Sequence, residues 1–295
     1  MGITRRSFIK HTAYAGVGIS LTPWISANAF EPPAKFLNDI GVCTSIDNHA
    51  LLESAGCSYV EETVGRFLVP EKDDAEFAIQ FAKLKESKIA VESVNSFLPA
   101  KLKTVGSDVN EDALLAFVGT AFRRMKQSNI KQVVLGSSGS RNIPDGFDRA
   151  VARQQFVSFA KKFGDLAAKN QVTIVIEPLQ RSESNFINTV QEGLDLVHEV
   201  NHPQVCLMAD LFHMLRNEEN GDAIINAGKL LRHTHIAEKE KRSPPGVKGD
   251  DFTPYFKALK KINYKGRISV EGTWTDMKTE LPIAVQTIRT QAASV

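Results

Sequence analysis

Four ionisable residues carry the strongest chemical signal in the chain. Glu177, Asp210, His235 and Glu271 fall at or next to the C-terminal ends of short apolar runs, Val172–Glu177, Val205–Asp210, Leu231–Ile236 and Arg267–Glu271. Three carboxylates and one imidazole make a mostly hard, oxygen-rich donor set. Such a set suits Mn²⁺, Mg²⁺ or Co²⁺ better than the thiolate-rich cage of a structural zinc site. The same side chains could instead be ion-paired in a barrel mouth, because a buried carboxylate is too costly to leave without a partner of some kind.

The elements that must position these residues are legible as an alternation of β-branched runs and longer amphipathic segments. Four further runs, Ile40–Ile46, Tyr59–Thr63, Ile89–Val94 and Gln132–Leu135, precede the four above and bring the number of expected strands to eight. Helical patterns lie between them at Asp73–Lys85, Glu111–Gln127, Asp148–Lys169, Thr189–Val200 and Thr253–Lys260, while the segment between Asp210 and His233 has the weakest periodicity. This is the pattern of a single-domain (β/α)8 TIM barrel, an α/β fold. Parity within the runs adds direction. Val172, Ile174 and Ile176 form one set and Thr173, Val175 and Glu177 the other; Val205, Leu207 and Ala209 oppose Cys206, Met208 and Asp210; Ile268 and Val270 oppose Arg267, Ser269 and Glu271. If the purely apolar sets face the helices, each acid points inward at the strand end where barrel enzymes place their chemistry. Gly/Ser/Pro-rich loops at Gly136–Gly146 and Ser243–Gly249 are expected at the same rim.

The first residues read as a targeting segment rather than as part of the barrel. Thr4-Arg5-Arg6-Ser7-Phe8-Ile9-Lys10 resembles a twin-arginine export signal, a mildly apolar stretch runs from Thr12 to Ile25, and Ala27-Asn28-Ala29 supplies a cleavage site. Gly16, Gly18 and Pro23 interrupt the apolar stretch, which falls short of the ~20 residues needed to span a bilayer. The expected division is therefore a signal peptide over residues 1–29 and a barrel domain over 30–295, located in the periplasm, with no membrane attachment after cleavage. Without Arg5, Arg6 and Lys10, the chain carries 33 basic against 34 acidic side chains, which gives no electrostatic footprint for nucleic acid. Cys43, Cys57 and Cys206 are too few for a disulfide framework, although a Cys43–Cys57 bridge stays open.

At the strand ends the sequence resembles the xylose-isomerase-like sugar isomerases and epimerases, above all the D-tagatose/D-psicose 3-epimerase and hydroxypyruvate isomerase branch. The segments that carry the resemblance are Ile176-Glu177-Pro178-Leu179-Gln180-Arg181-Ser182-Glu183, His202-Pro203-Gln204-Val205 with Met208-Ala209-Asp210-Leu211-Phe212-His213-Met214, His233-Thr234-His235-Ile236-Ala237-Glu238 and Ser269-Val270-Glu271. They span the second half of the chain; residues 30–130 match only loosely. The resemblance implies that Glu177, Asp210, His235 and Glu271 bind a divalent metal, most often Mn²⁺, and that Glu177 and Glu271 are also the acid/base pair. It also implies substrate-binding roles for Glu183, for His213 and for an arginine just beyond the metal histidine. Lys241 and Arg242 compete for that last place; Arg242 is preferred because a guanidinium binds diol oxygens as a fork. His233, one layer deeper than His235, reads as a hydrogen-bonded core histidine, and Trp274 either lines the pocket or packs on the last helix.

The expected activity is isomerisation or epimerisation of a keto- or aldo-sugar through proton abstraction next to a carbonyl. No glycine-rich phosphate cradle follows the seventh and eighth runs, so the sugar is expected to be unphosphorylated. A lyase acting on a 3-keto-glycoside would use the same metal and base, and a non-catalytic carbohydrate-binding protein is the third reading. The identity of the sugar and any homo-oligomeric state are left open.

Overall fold

The computed structural model describes residues 36–295 apart from Asn38, and the expected leader and its cleavage site lie outside these residues. Eight strands pair in parallel and in chain order to close a barrel: β1 (Ile40–Cys43), β2 (Tyr59–Thr63), β3 (Ala90–Asn95), β4 (Gln132–Leu135), β5 (Thr173–Ile176), β6 (Val205–Asp210), β7 (Leu231–Ile236) and β8 (Arg267–Val270). The helices are α1 (His49–Ser54), α2 (Asp74–Ala82), α3 (Glu111–Gln127), α4 (Ser138–Arg141), α5 (Arg149–Asn170), α6 (Val190–Val200), α7 (Leu211–Arg216), α8 (Asp222–Ala227), α9 (Thr253–Lys261) and α10 (Met277–Ala293). None among the described residues is long and apolar enough to cross a membrane.

Local chemistry sets the boundaries. Asp73, Asn110, Asp148 and Thr189 cap α2, α3, α5 and α6, each accepting from the backbone N–H three residues on. β1 stops at Cys43, short of the expected Ile46, because Ser45 instead caps a 3₁₀ turn over Ile46–Asn48. The weakly periodic segment after β6 becomes two short helices, α7 and α8, separated by the polar run Asn217-Glu218-Glu219-Asn220. β5 and β8 end one residue before Glu177 and Glu271, but the Glu177 and Glu271 amides still donate to Leu135 and Ile236 across 3.2 and 3.1 Å. Both glutamates thus stay in register with the sheet although Pro178 and Gly272 end their strands.

Inside and outside follow the expected parity. Val134, Val175, Cys206 and Met208 form a small apolar cluster of their own, whereas Ile174, Ile176, Val205, Leu207, Ile268 and Val270 join the large core with the helices. β7 carries a register shift against β6: Leu207 pairs with Leu231, but Met208 pairs with His233. Skipping Arg232 turns His233 and His235 inward and sets His235 level with Asp210, so the irregularity re-aims two side chains. All three cysteines are free, and the Cys43–Cys57 bridge is not formed.

The start of α6 is tied to the α7–α8 connection. Glu219 accepts the Val190 N–H at 2.9 Å, and its own carbonyl accepts the Tyr255 hydroxyl at 2.7 Å. Burial pushes the Glu219 carboxyl up to about 7, although the Val190 N–H favours its charged form. A glutamate in the unfolded chain titrates near about 4.3. Between these values the native state holds a proton that the unfolded chain has lost, so stability falls as pH rises through this window. Glu219→Gln keeps an acceptor for Val190; denaturant midpoints should show it more stable than the wild type at pH 8 and no more stable at pH 4.

Candidate metal centre and substrate site

Glu177, Asp210, His235 and Glu271 converge at the C-terminal mouth of the barrel, each offering one donor atom within 4.8 Å of the others. His235 Nδ1 lies 2.9 Å from Glu271 Oε2, 3.5 Å from Glu177 Oε1 and 4.0 Å from Asp210 Oδ2. Glu177, Asp210 and His235 are buried, whereas the Glu271 side chain is 27% exposed and forms the open side. Glu177 Oε1 and His213 Nε2 are buried without a hydrogen-bond partner. A buried orphan carboxylate oxygen facing other carboxylates is the mark of a group that belongs between them, and three acids with one imidazole suit a hard divalent cation.

The charges respond to one another as expected in a dry pocket. Burial raises the Glu177 pKa, the Glu271 charge adds to this, and His235 opposes it. Burial would also raise Asp210, but His213, the Arg242 charge and His235 beside it hold it below the usual carboxylate range. His235 is disfavoured as a cation by burial, yet Glu61 and its other anionic neighbours carry its pKa well above that of a free imidazole.

Asp210 has a second task. Its Oδ1 caps α7 by accepting from the Phe212 and His213 amides at 2.8 and 3.3 Å, leaving Oδ2 for the cluster. The capped turn delivers His213, whose Nδ1 accepts the Gln180 N–H at 3.2 Å, so Nε2 is the nitrogen that carries the proton. That Nε2 faces Asp210 Oδ2 at 3.6 Å, Glu177 Oε1 at 3.9 Å and Glu183 Oε2 at 4.0 Å.

Arg242 closes the ring of charge. Its Nη2 donates to Asp210 Oδ2 at 3.0 Å and to Glu271 Oε2, its Nε donates to the Glu271 carbonyl at 2.9 Å, and Nη1 stands 4.0 Å from Glu183. The guanidinium also lies over the Phe212 ring, 4.7 Å from its centroid. Lys241 beside it is exposed. Both residues are left-handed, with φ of 57° and 54°. The loop that imposes this is gathered by the fully buried Glu238, whose carboxylate accepts backbone N–H groups from Gly246, Lys248, Gly249 and Asp250.

Several residues of the site escaped the sequence reading. Glu61, on β2, accepts from His233 Nε2 at 2.7 Å, from His235 Nε2 at 2.9 Å and from the Ser269 hydroxyl at 2.7 Å. His233 is thus a buried, hydrogen-bonded histidine, and burial lowers its pKa against the pull of Glu61. Asn95 Nδ2 lies 3.4 Å from Glu271 Oε1, with Oδ1 buried and unpartnered. Cys43 Sγ is 3.8 Å from His235 Nε2. Adjacent acids Glu61 and Glu62 in an apolar strand were the available signal, since one of the two had to face inward. Trp274 is partly buried against the main core, with its indole N–H unpartnered.

A sequence profile described as "Xylose isomerase-like TIM barrel" matches residues 50–291. The chain is 39% identical over 121 residues to an L-ribulose 3-epimerase of Methylomonas sp. (strain DH-1), covering 40% of this chain and 42% of that protein. It is 30% identical over 214 residues to a D-psicose 3-epimerase of Agrobacterium fabrum, covering 69% of this chain and 71% of that protein. The first of these matches therefore spans less than half of the relative's own length. The solved structure of a D-allulose 3-epimerase from Methylomonas sp. shares the fold with a TM-score of 0.75 at 23% identity, over 88% of this chain and 99% of that one. These relatives are named as epimerases, and the elimination reading gains no support from them.

Gly136, after β4, leaves the space that Glu177 fills: a Cβ there would stand 2.1 Å from Glu177 Oε2. Gly136→Ala should displace this carboxylate while the barrel still folds. Calorimetric titration with Mn²⁺ should show affinity reduced by roughly tenfold or more, with an almost unchanged circular dichroism spectrum.

Proposed function

The chain belongs to the xylose isomerase-like TIM barrel family, and from that premise we propose that it is a divalent-metal-dependent epimerase or isomerase of an unphosphorylated keto- or aldo-sugar. The observation that carries the proposal is the convergence of Glu177 and Glu271, from the ends of β5 and β8, on one cluster with Asp210 and His235. The similarity to an L-ribulose and a D-psicose 3-epimerase supports a free ketose as substrate. The segments after β7 and β8, Lys241-Arg242-Ser243-Pro244-Pro245 and Gly272-Thr273-Trp274, lack the glycine-rich turn that would hold a phosphate, which supports the same reading.

Glu177, Asp210, His235 and Glu271 would hold the ion, with Mn²⁺ as the first candidate and Mg²⁺ or Co²⁺ as alternatives. When bound, the ion supplies positive charge against the negative charge that develops on the substrate's carbonyl oxygen. One of the two glutamates takes the proton from the carbon next to the carbonyl, giving an enediolate, and a proton is then returned. Return by the other glutamate to the opposite face gives an epimer; return to the neighbouring carbon gives an aldose or ketose isomer. The His213 Nε2–H, free of a protein partner, is placed to donate to a substrate oxygen beside Glu177. Glu183 and the Arg242 fork bind further hydroxyls at the open side, where Glu183 is 38% exposed.

Export through the twin-arginine pattern at Thr4–Lys10 and a periplasmic location belong to the same reading. Sequencing of the protein from its native host should find Phe30 at the N-terminus, and an intact Met1 would overturn export with cleavage after Ala29. Turnover of D-psicose or D-fructose should be lost on chelation and restored by Mn²⁺. In D₂O, deuterium should enter the intact sugar at the carbon next to the carbonyl; its absence during good turnover would rule out the glutamate pair. Glu177→Gln and Glu271→Gln should each lose about 10²–10⁴ in rate, whereas Asp210→Asn and His235→Ala should act first on metal content.

A further inference from the structure

We infer that Glu61 is the positioning residue of the metal centre: by accepting the Nε2–H of His235 it fixes the ring so that Nδ1 is the nitrogen offered to the ion. The inference rests on reading His235 as a metal ligand. Glu61 Oε1 lies 2.9 Å from His235 Nε2, on the side of the ring away from Glu177, Asp210 and Glu271, while Nδ1 lies among those three acids. An imidazole that donates through one nitrogen to a carboxylate presents the other as a lone pair and holds its plane, which is how second carboxylates commonly raise the affinity of metal histidines.

The geometry around Glu61 is that of a fixed acceptor. Its Oε2 takes the His233 Nε2–H and the Ser269 hydroxyl proton, each at 2.7 Å, and the Tyr59 hydroxyl lies 2.7 Å from Ser269 Oγ. Glu61, His233, His235, Ser269 and Tyr59 are all within 1% of complete burial, so water cannot replace any of these partners. The carboxylate thus joins β2, β7 and β8, and three donors from two strands fix its direction. The His233 ring, inclined at 80° to that of His235 with centroids 5.0 Å apart, blocks the tilt that would let His235 turn. By residue type, Glu61, His233 and His235 could themselves hold a second ion. The 2.7 and 2.9 Å separations are those of direct hydrogen bonds, however, and both oxygens are already engaged.

The test compares full-length mature wild type with Glu61→Gln. Mn²⁺ affinity is read by titration of the chelator-stripped protein, and the unfolding midpoint is read without metal. The expected result is a Kd for Mn²⁺ raised roughly 10- to 100-fold in a variant that still folds. A lower unfolding midpoint with an unchanged Kd marks Glu61 as merely structural and overturns the inference. A second readout needs no variant: long-range ¹H–¹⁵N correlation of the Mg²⁺-loaded wild type should show His235 protonated at Nε2 and not at Nδ1. The opposite tautomer overturns the inference even if Glu61→Gln fails to fold. If the wild type binds neither Mn²⁺ nor Mg²⁺, the metal reading itself fails and the orienting role goes with it. Wild-type binding with an unchanged Kd in the variant removes only the role of Glu61.

Discussion

Concentrated negative charge at the barrel mouth is the constraint to which the rest of the structure answers. Glu61, Glu177, Asp210 and Glu271 all meet His235, three of the four buried, and Glu183 stands nearby. At about 4 Å and an effective dielectric near 20, a like-charged pair costs roughly 4 kcal/mol. The chain supplies the Arg242 guanidinium and His235, whose pKa these acids raise, in return, with the His213 Nε2–H as a further donor. Arg242 bonds both Asp210 and Glu271, and these charges outweigh burial in setting the Asp210 pKa. A divalent ion would complete the balance, and the barrel is suited to contain the repulsion because each acid leaves a different strand of one closed sheet.

Much of this was legible in the sequence. A β-strand turns its side chains with period two, so a run such as Val205–Asp210 reveals both its apolar face and the acid on the other. β2, β4, β6 and β7 occupy the expected residues, and Glu177, Asp210, His235 and Glu271 meet at one end of the barrel. Residues that act through partners distant in sequence were less visible. Glu61 lies 172 residues from His233 and 174 from His235, and only closure of the barrel brings them together. Its neighbour Glu62 complicates the pattern further, since it faces the other way, accepting the Ile46 amide at 2.6 Å and pairing with Arg66. The register shift in β7 was equally hidden, because Leu231, His233 and His235 share one parity in sequence yet Leu231 packs with the outer core.

The site is also divided by the kind of structure that carries it. Glu61, Asp210 and His235 sit in strands, and Glu177 and Glu271 one residue beyond them, with amides still bonded to the sheet. Glu183, His213 and Arg242 sit on a loop, a one-and-a-half-turn helix and a second loop. Groups that would hold the ion thus belong to the rigid sheet, whereas those facing the rest of a substrate belong to the connections, which vary more readily.

The clasp formed by Glu238 bears on how such a site can diversify. Its carboxylate grips the Arg242 loop by main-chain N–H groups alone, so it is indifferent to which side chains the loop displays. Mutations that exchange the side chain of Lys248 would leave the grip intact, apart from that to proline, which has no N–H to give, and Val247 takes no part in it because its own N–H goes to the Pro244 carbonyl. Gly246 and Gly249 are less free, because both adopt left-handed conformations. The loop is therefore a surface whose outward side chains selection can rewrite without disturbing the arginine at its base.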